Sequence, residues 1–188
     1  AQAGGLMARR ALEEVLIAVE RDMRGPLNKL GLRIGTLDVF MPALIKPEAA
    51  RWRVALTAAH DGAVMPGLPV IGAVSASTPS DIATCHAFVL AGFRPLGAQM
   101  LRVDQVERLA RNAHDARAGR NAFMPDAALA TSLGLMPASF AQLMLALGFR
   151  SAEQGWVWKG KRASAPAKRK VPKERPGNAF GALAGLRL

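Results

Sequence analysis

Apolar side chains recur with a helical period at the start of the chain. Leu12, Val15, Leu16, Val19 and Met23 fall on one face of a helix predicted over residues 6–23. Arg10 with Glu14, and Glu20 with Arg24, can pair across one turn on the exposed side. Gly25-Pro26 ends the run. The period then changes. Leu32, Ile34, Leu37, Val39 and Phe40 read as a strand or a short hairpin around Gly35-Thr36, stopped by Pro42. Pro47 suits a first helical position, and Glu48 suits the positive first turn. The helix they open runs to about His60 and is expected to bury Trp52, Ala55, Leu56 and Ala59, with Asp61-Gly62 closing it.

Residues 63–77 form a Gly/Pro-rich connection. Thr78-Pro79-Ser80-Asp81 then opens a helix capped by Thr78, with Ile82, Cys85, His86 and Val89 expected inward and Gly92 at its end. The clearest helix spans 104–118. Asp104 and Glu107 resemble a capping box, Val106, Leu109, Ala110 and Ala113 form the stripe, and Gly119 stops it. After it come a short helix over 126–133, a turn at Gly134, and a second helix over 138–147 with Phe140, Leu143, Met144 and Leu147 inward. A small hairpin over 150–159 follows, with Gly155 near its turn. Helix, turn, helix, hairpin is the order of a winged-helix fragment. Leu-Ala-Gly-Phe-Arg at 90–94 and Leu-Ala-Leu-Gly-Phe-Arg at 145–150 both follow a helix, with no fixed-period repeat legible around them. The predicted architecture is α+β and mainly helical. It has small strand and hairpin elements and a helix-turn-helix/winged-helix-like unit near the end of the body. It divides into 1–62 (helix, strand or turn, helix), 63–124 (linker and two helices), 125–160 (helix-turn-helix-like unit with hairpin) and 161–188 (a disordered basic tail with a terminal apolar peptide).

Charge changes the picture at the end. Residues 159–188 carry nine Lys or Arg against one acid, Glu174, whereas residues 1–158 carry sixteen against thirteen. Most of the formal +11 therefore sits on a Pro/Ala/Gly-rich appendage, which points to a polyanionic partner. With 51% apolar residues the rest is expected to be globular. No apolar run reaches the length of a spanning helix, and no membrane partner is expected. The start carries no basic-then-apolar leader, and the single cysteine, Cys85, fits a reducing, cytoplasmic setting. The first residue is Ala1, which favours a fragment of a longer polypeptide.

Catalytic signatures are missing. There is no GxxxxGK[ST], GxGxxG or GxSxG. Cys85-His86, His60 and His114 do not form a zinc spacing, and Cys85 lies on an apolar helix face, where an inert thiol is expected. No enzyme activity, metal or cofactor is therefore assigned to this chain. A base-reading helix needs Arg, Lys, Asn or Gln in the groove, yet residues 127–149 hold no charged side chain and Gln142 is their one long polar residue. A sequence-specific duplex reader is not expected. Trp156 and Trp158 point to one face of the last strand, with Lys159, Lys161 and Arg162 directly after them. They either cover a small core or offer a stacking face for a single strand. At the far end Phe180, Leu183 and Leu186 restore apolar spacing and form a candidate docking element for a partner or for the body.

Residues 31–47 carry a pattern of Gly31, Arg33 and Gly35, then Phe40, Pro42, Leu44, Ile45, Lys46 and Pro47. It resembles the segment after the motor lobes in bacterial relatives of the mitochondrial degradosome helicase, the suppressor-of-Var type of DExH-box RNA helicases. Ile45 stands where Leu is more usual. Residues 92–110, with Gly92, Arg94, Gly97, Leu101-Arg102, Asp104 and Glu107-Arg108-Leu109, are similar to a second family segment. The resemblance implies an accessory C-terminal region of an ATP-dependent helicase, with ATP and Mg confined to motor lobes absent from this chain. It implies single-stranded nucleic acid as partner, RNA more than DNA, together with those lobes and an exoribonuclease. Candidate strand contacts are Arg33, Lys46, Arg51 and Arg53 on the body and Trp158, Lys159, Lys161, Arg162, Lys168, Arg169, Lys170 and Lys173 at the end. The competing reading is a protein-interaction adaptor that uses the terminal apolar peptide.

Overall fold

The computed structural model describes residues 5–19, 23–117, 119 and 121–160. It is a mixed α/β chain with small antiparallel sheets and, among the described residues, seven α-helices. Its first element is strand β1, Leu6–Ala8, followed by a 3-10 turn over Arg9–Leu12 and helix α1, Glu13–Ala18. Helix α2, Arg24–Lys29, leads to strands β2, Arg33–Ile34, and β3, Asp38–Phe40. β3 is central, with Leu6 and Arg33 both opposite Phe40. The continuous helix expected over 6–23 is therefore not formed. Strand pairing claims its first turn, because Leu6 is buried with Phe40 and Val103, and Arg9 bonds the carbonyls of Gly35 and Leu37. Nothing in the 3-10 turn or α1 is buried, so the helical period there has no core to face.

Two units of the same construction follow. The first is helix α3 (Pro47–His60), strand β4 (Ser75–Ser77), helix α4 (Ile82–Leu90) and hairpin strands β5 (Phe93–Leu96) and β6 (Gln99–Arg102). The second is helix α5 (Val103–Ala116), a bridge at Phe123, short helix α6 (Ala127–Ser132), helix α7 (Pro137–Leu147) and hairpin strands β7 (Phe149–Ala152) and β8 (Gly155–Trp158). Adding 56 to the bounds of α3, β5 and β6 gives those of α5, β7 and β8. In both units the third strand joins the second hairpin strand, Ala76 opposite Met100 and Phe123 opposite Trp156, again 56 apart on the hairpin. Single hydrogen bonds repeat as well. The Val103 N–H donates to the Gly92 carbonyl at 2.9 Å, and the Lys159 N–H to the Gly148 carbonyl at 3.1 Å. Gly92 and Gly148 carry φ of 85° and 96°, the left-handed exit from helix to hairpin that glycine takes without strain.

A fixed offset thus exists where the sequence shows only two Gly-Phe-Arg triplets. It survives because two differences cancel. The first unit spends residues on the loop between α3 and β4, and the second spends them on α6, between its bridge and α7.

Helix faces account for further departures. α3 buries Ala50, Val54 and Ala58, while Trp52 and Leu56 are 68% and 64% exposed. The small stripe lets α3 lie close to α4, where Ala87 and Leu90 are buried beside Val54; bulky side chains would hold the helices apart. α4 in turn buries Ala87, Phe88 and Leu90, leaves Cys85 and Val89 partly covered, and exposes Ile82 and His86. Its cap is Asp81, whose side chain accepts the Thr84 N–H at 2.8 Å, while the Thr78 hydroxyl bonds the Gly97 carbonyl. α5 buries its expected stripe, but Asp104 and Glu107 do not form a capping box. Glu107 accepts the Thr36 N–H at 2.7 Å and the Leu37 N–H at 3.2 Å, which fixes the β2–β3 loop to α5. Gly35 is needed there, since a Cβ would lie 2.4 Å from that carboxylate. An ion pair between Arg94 and buried Asp38 ties the same sheet to β5. α7 buries Leu143, Met144 and Leu147 as expected, with Phe140 half-buried.

Candidate functional site

The proline-bounded turn before α3 positions two of the candidate cations. Lys46 occupies the N-cap position, extended because proline follows it, and is exposed. Arg51 lies exposed on the first turns of the helix. Both line a groove of about 600 Å³. Its floor is Phe40, Ala50, Ala91 and Phe93, all buried; one wall is the turn from Pro42 to Pro47, and the other is the loop 68–73. Arg102 and Asp104 close one end. The Arg102 Nε donates to the Asp104 Oδ1 at 2.6 Å. Burial pushes the Asp104 carboxyl up, but the hydrogen bond and charge of Arg102 outweigh that and hold it below its ordinary value. The same bond raises the guanidinium. The rim is thus mixed in sign rather than a cationic track.

Arg53 is committed elsewhere. Its Nη2 donates to the Leu44 carbonyl at 2.5 Å and to the Leu90 carbonyl at 2.6 Å, which clips the proline turn to the end of α4. Desolvation lowers its pKa. These contacts spend the guanidinium on backbone and give it a structural role. Arg33 is exposed on β2 and does not line the groove.

Trp156 and Trp158 share a face of β8, and both pack on the largest core cluster. Trp158 is half-buried. The Arg117 guanidinium carbon lies 4.2 Å from its ring centroid, and the His114 ring meets it edge-on at 6.4 Å. A base stacking on the Arg117 face would first displace that cation, so the packing role has the geometry on its side. Lys159 follows, exposed, at the end of the hairpin. Lys161, Arg162, Lys168, Arg169, Lys170 and Lys173, and the docking triad Phe180, Leu183 and Leu186, lie outside the described residues. The structure therefore brings Lys46 and Arg51 to one groove, which Arg33 does not line although it pairs with Phe40 of the floor.

Sequence reasoning missed the groove. Its signal was the three prolines Pro42, Pro47 and Pro69 beside the Val70-Ile71 pair in an otherwise turn-forming connection. Among the described residues no helix is long and apolar enough to cross a membrane, and no group of three His, Cys, Asp or Glu is placed to hold a metal ion. No family model, no curated protein and no solved structure matches this chain.

Proposed function

We propose that this chain is an accessory, nucleic-acid-binding region of an ATP-dependent helicase, holding an unwound strand, RNA more than DNA, while motor lobes elsewhere in the parent supply ATP chemistry in the cytoplasm. The observation that carries the reading is the segregation of charge: nine cations and one acid in residues 159–188, beside a nearly balanced remainder. The chain itself is assigned no catalysis. Lys159 and the tail cations grip phosphates, and Lys46 and Arg51 extend the contact across the groove's rim. The second unit is read as winged-helix-like, its bridge at Phe123 adding a third strand to the hairpin. Its α7 carries no cation, so it packs instead of reading bases.

Binding of a labelled single-stranded RNA, measured by polarisation across salt concentrations, tests the proposal. Four phosphate contacts give a log–log slope of about −3. Truncation after Gly160 should remove most of that slope. A slope near zero in the full chain refutes the reading. The adaptor reading is favoured by one observation, the apolar spacing of Phe180, Leu183 and Leu186 in the terminal peptide it would use. It predicts strand affinity unchanged by truncation, with capture of a partner such as an exoribonuclease lost.

A further inference from the structure

The groove beside α3 is built for an apolar occupant. Its floor is aliphatic and aromatic, and its outer wall presents Val70 and Ile71 at 80% and 82% exposure. None of its lining polar side chains is buried, and Arg102 is already taken by Asp104. A small polar ligand would find nothing convergent to orient it, whereas the apolar stripe of a peptide needs only the trough.

We infer that the groove holds the chain's own segment 178–188, seated by Phe180 and Leu183. Within the twenty-eight residues that follow Gly160, that segment is the one apolar run, and its Phe180, Leu183 and Leu186 recur at the spacing of one helical face. Reach is sufficient. The nineteen residues from 161 to 179 span about 60 Å when extended, against a radius of gyration of roughly 15 Å for a body of this size. Tethering gives the segment an effective concentration on the order of millimolar, so a weak contact suffices. Charge does not decide, since Lys46 and Arg51 stand at the rim with Glu48, and Asp104 is paired with Arg102; length, reach and apolar spacing carry the assignment. The inference stands apart from strand binding, because it is read without nucleic acid.

The test uses the full chain carrying a photoreactive benzoylphenylalanine in place of Phe180, as an equal mixture of isotopically light and heavy protein. Cross-links should fall on residues 42–51 and 68–73 within single-isotope species. Mixed-isotope products would place the segment on a second copy, and cross-links elsewhere on the body, or none, would also overturn the proposal. The double substitution Val70→Asp and Ile71→Asp alters two exposed positions and spares the fold. It should lower the groove cross-link by roughly tenfold. An unchanged yield would sink the assignment even if the cross-link maps to the groove.

Discussion

The two repeated units share a backbone plan and close it in opposite ways. In the second, α5 offers Val106, Leu109, Ala110 and Ala113, and the hairpin supplies Phe149, Trp156 and Trp158 to one continuous cluster with Phe123 and α7. In the first, α3 offers only Ala50, Val54 and Ala58, and the hairpin places Met100 and Arg102 where the second has the two tryptophans. Leu96 and Leu101 of its hairpin join that same cluster, the rest of its core breaks into smaller ones, and the surplus space becomes the groove. The same scaffold is a filled core in one copy and a half-open receptacle in the other. Side-chain volume at matching positions decides which.

The largest expected effect tests that contrast at equivalent phenylalanines. Phe149 is fully buried and touches Phe123 and His114. Phe149→Ala should cost about 3–5 kcal/mol in urea unfolding. Phe93→Ala at the matching position should cost about 2–3 kcal/mol, because the vacated space opens into the groove and leaves no closed cavity. Equal costs would mean the first unit is as closed as the second.

Glycines near the ends of the two hairpins break the symmetry next, Gly155 opening β8 and Gly97 lying in the turn before β6. Gly155 has φ of 116°, and a Cβ there would sit 2.4 Å from the Phe123 carbonyl, so Gly155→Ala should cost about 2–4 kcal/mol. Gly97, with φ of 73° and its nearest neighbour at 3.6 Å, should lose only about 1 kcal/mol. Chemical denaturation of both variants decides whether the bridge to Phe123 tightens the second hairpin. At the lower end of the Gly155 range is Trp158→Ala, expected to cost about 2 kcal/mol through lost contact with Arg117 and the core. Strand affinity should change by less than about threefold, since the cations stay. A large affinity loss with stability intact would restore the stacking role.

How much of this was legible follows from where the energy lies. α5, α7 and the last hairpin were read correctly because their stripes face the largest core cluster, so local pattern and tertiary packing agree. α3 was read on the wrong face: Trp52 and Leu56 look like core by type, but close helix packing selects Ala50, Val54 and Ala58, a preference that only the partner α4 reveals. Glu107 looked like a cap because a cap is local, while its real partners, the N–H groups of Thr36 and Leu37, lie about seventy residues away. The candidate cations Lys46 and Arg51 were named from their place at the family-like turn. The groove between them was not, since its walls come from segments that no period links. The repeat stayed hidden because its offset is carried by backbone geometry at Gly92 and Gly148, with few side chains in common.

The smallest effect sits at the position where the units differ most simply, Arg102 against Trp158. Arg102 closes the groove by pairing with Asp104, whose carboxyl is held below its ordinary value despite partial burial. A depressed folded-state pKa means the pair's contribution is complete above the unfolded value of about 3.9 and is lost as pH falls through the lower, folded one. Both groups are over a third exposed or close to it, so screening keeps the contribution well under ~1 kcal/mol. Unfolding of the native chain and of Asp104→Asn should therefore differ slightly and constantly between pH 6 and 8. The difference should shrink as the solution is taken below the ordinary carboxylate range. Taking the difference cancels the other carboxylates, which titrate alike in both proteins. A gap that persists undiminished at low pH would mean Asp104 matters by packing or by its bond to Gln105, and the charged rim would no longer distinguish the open unit from the closed one.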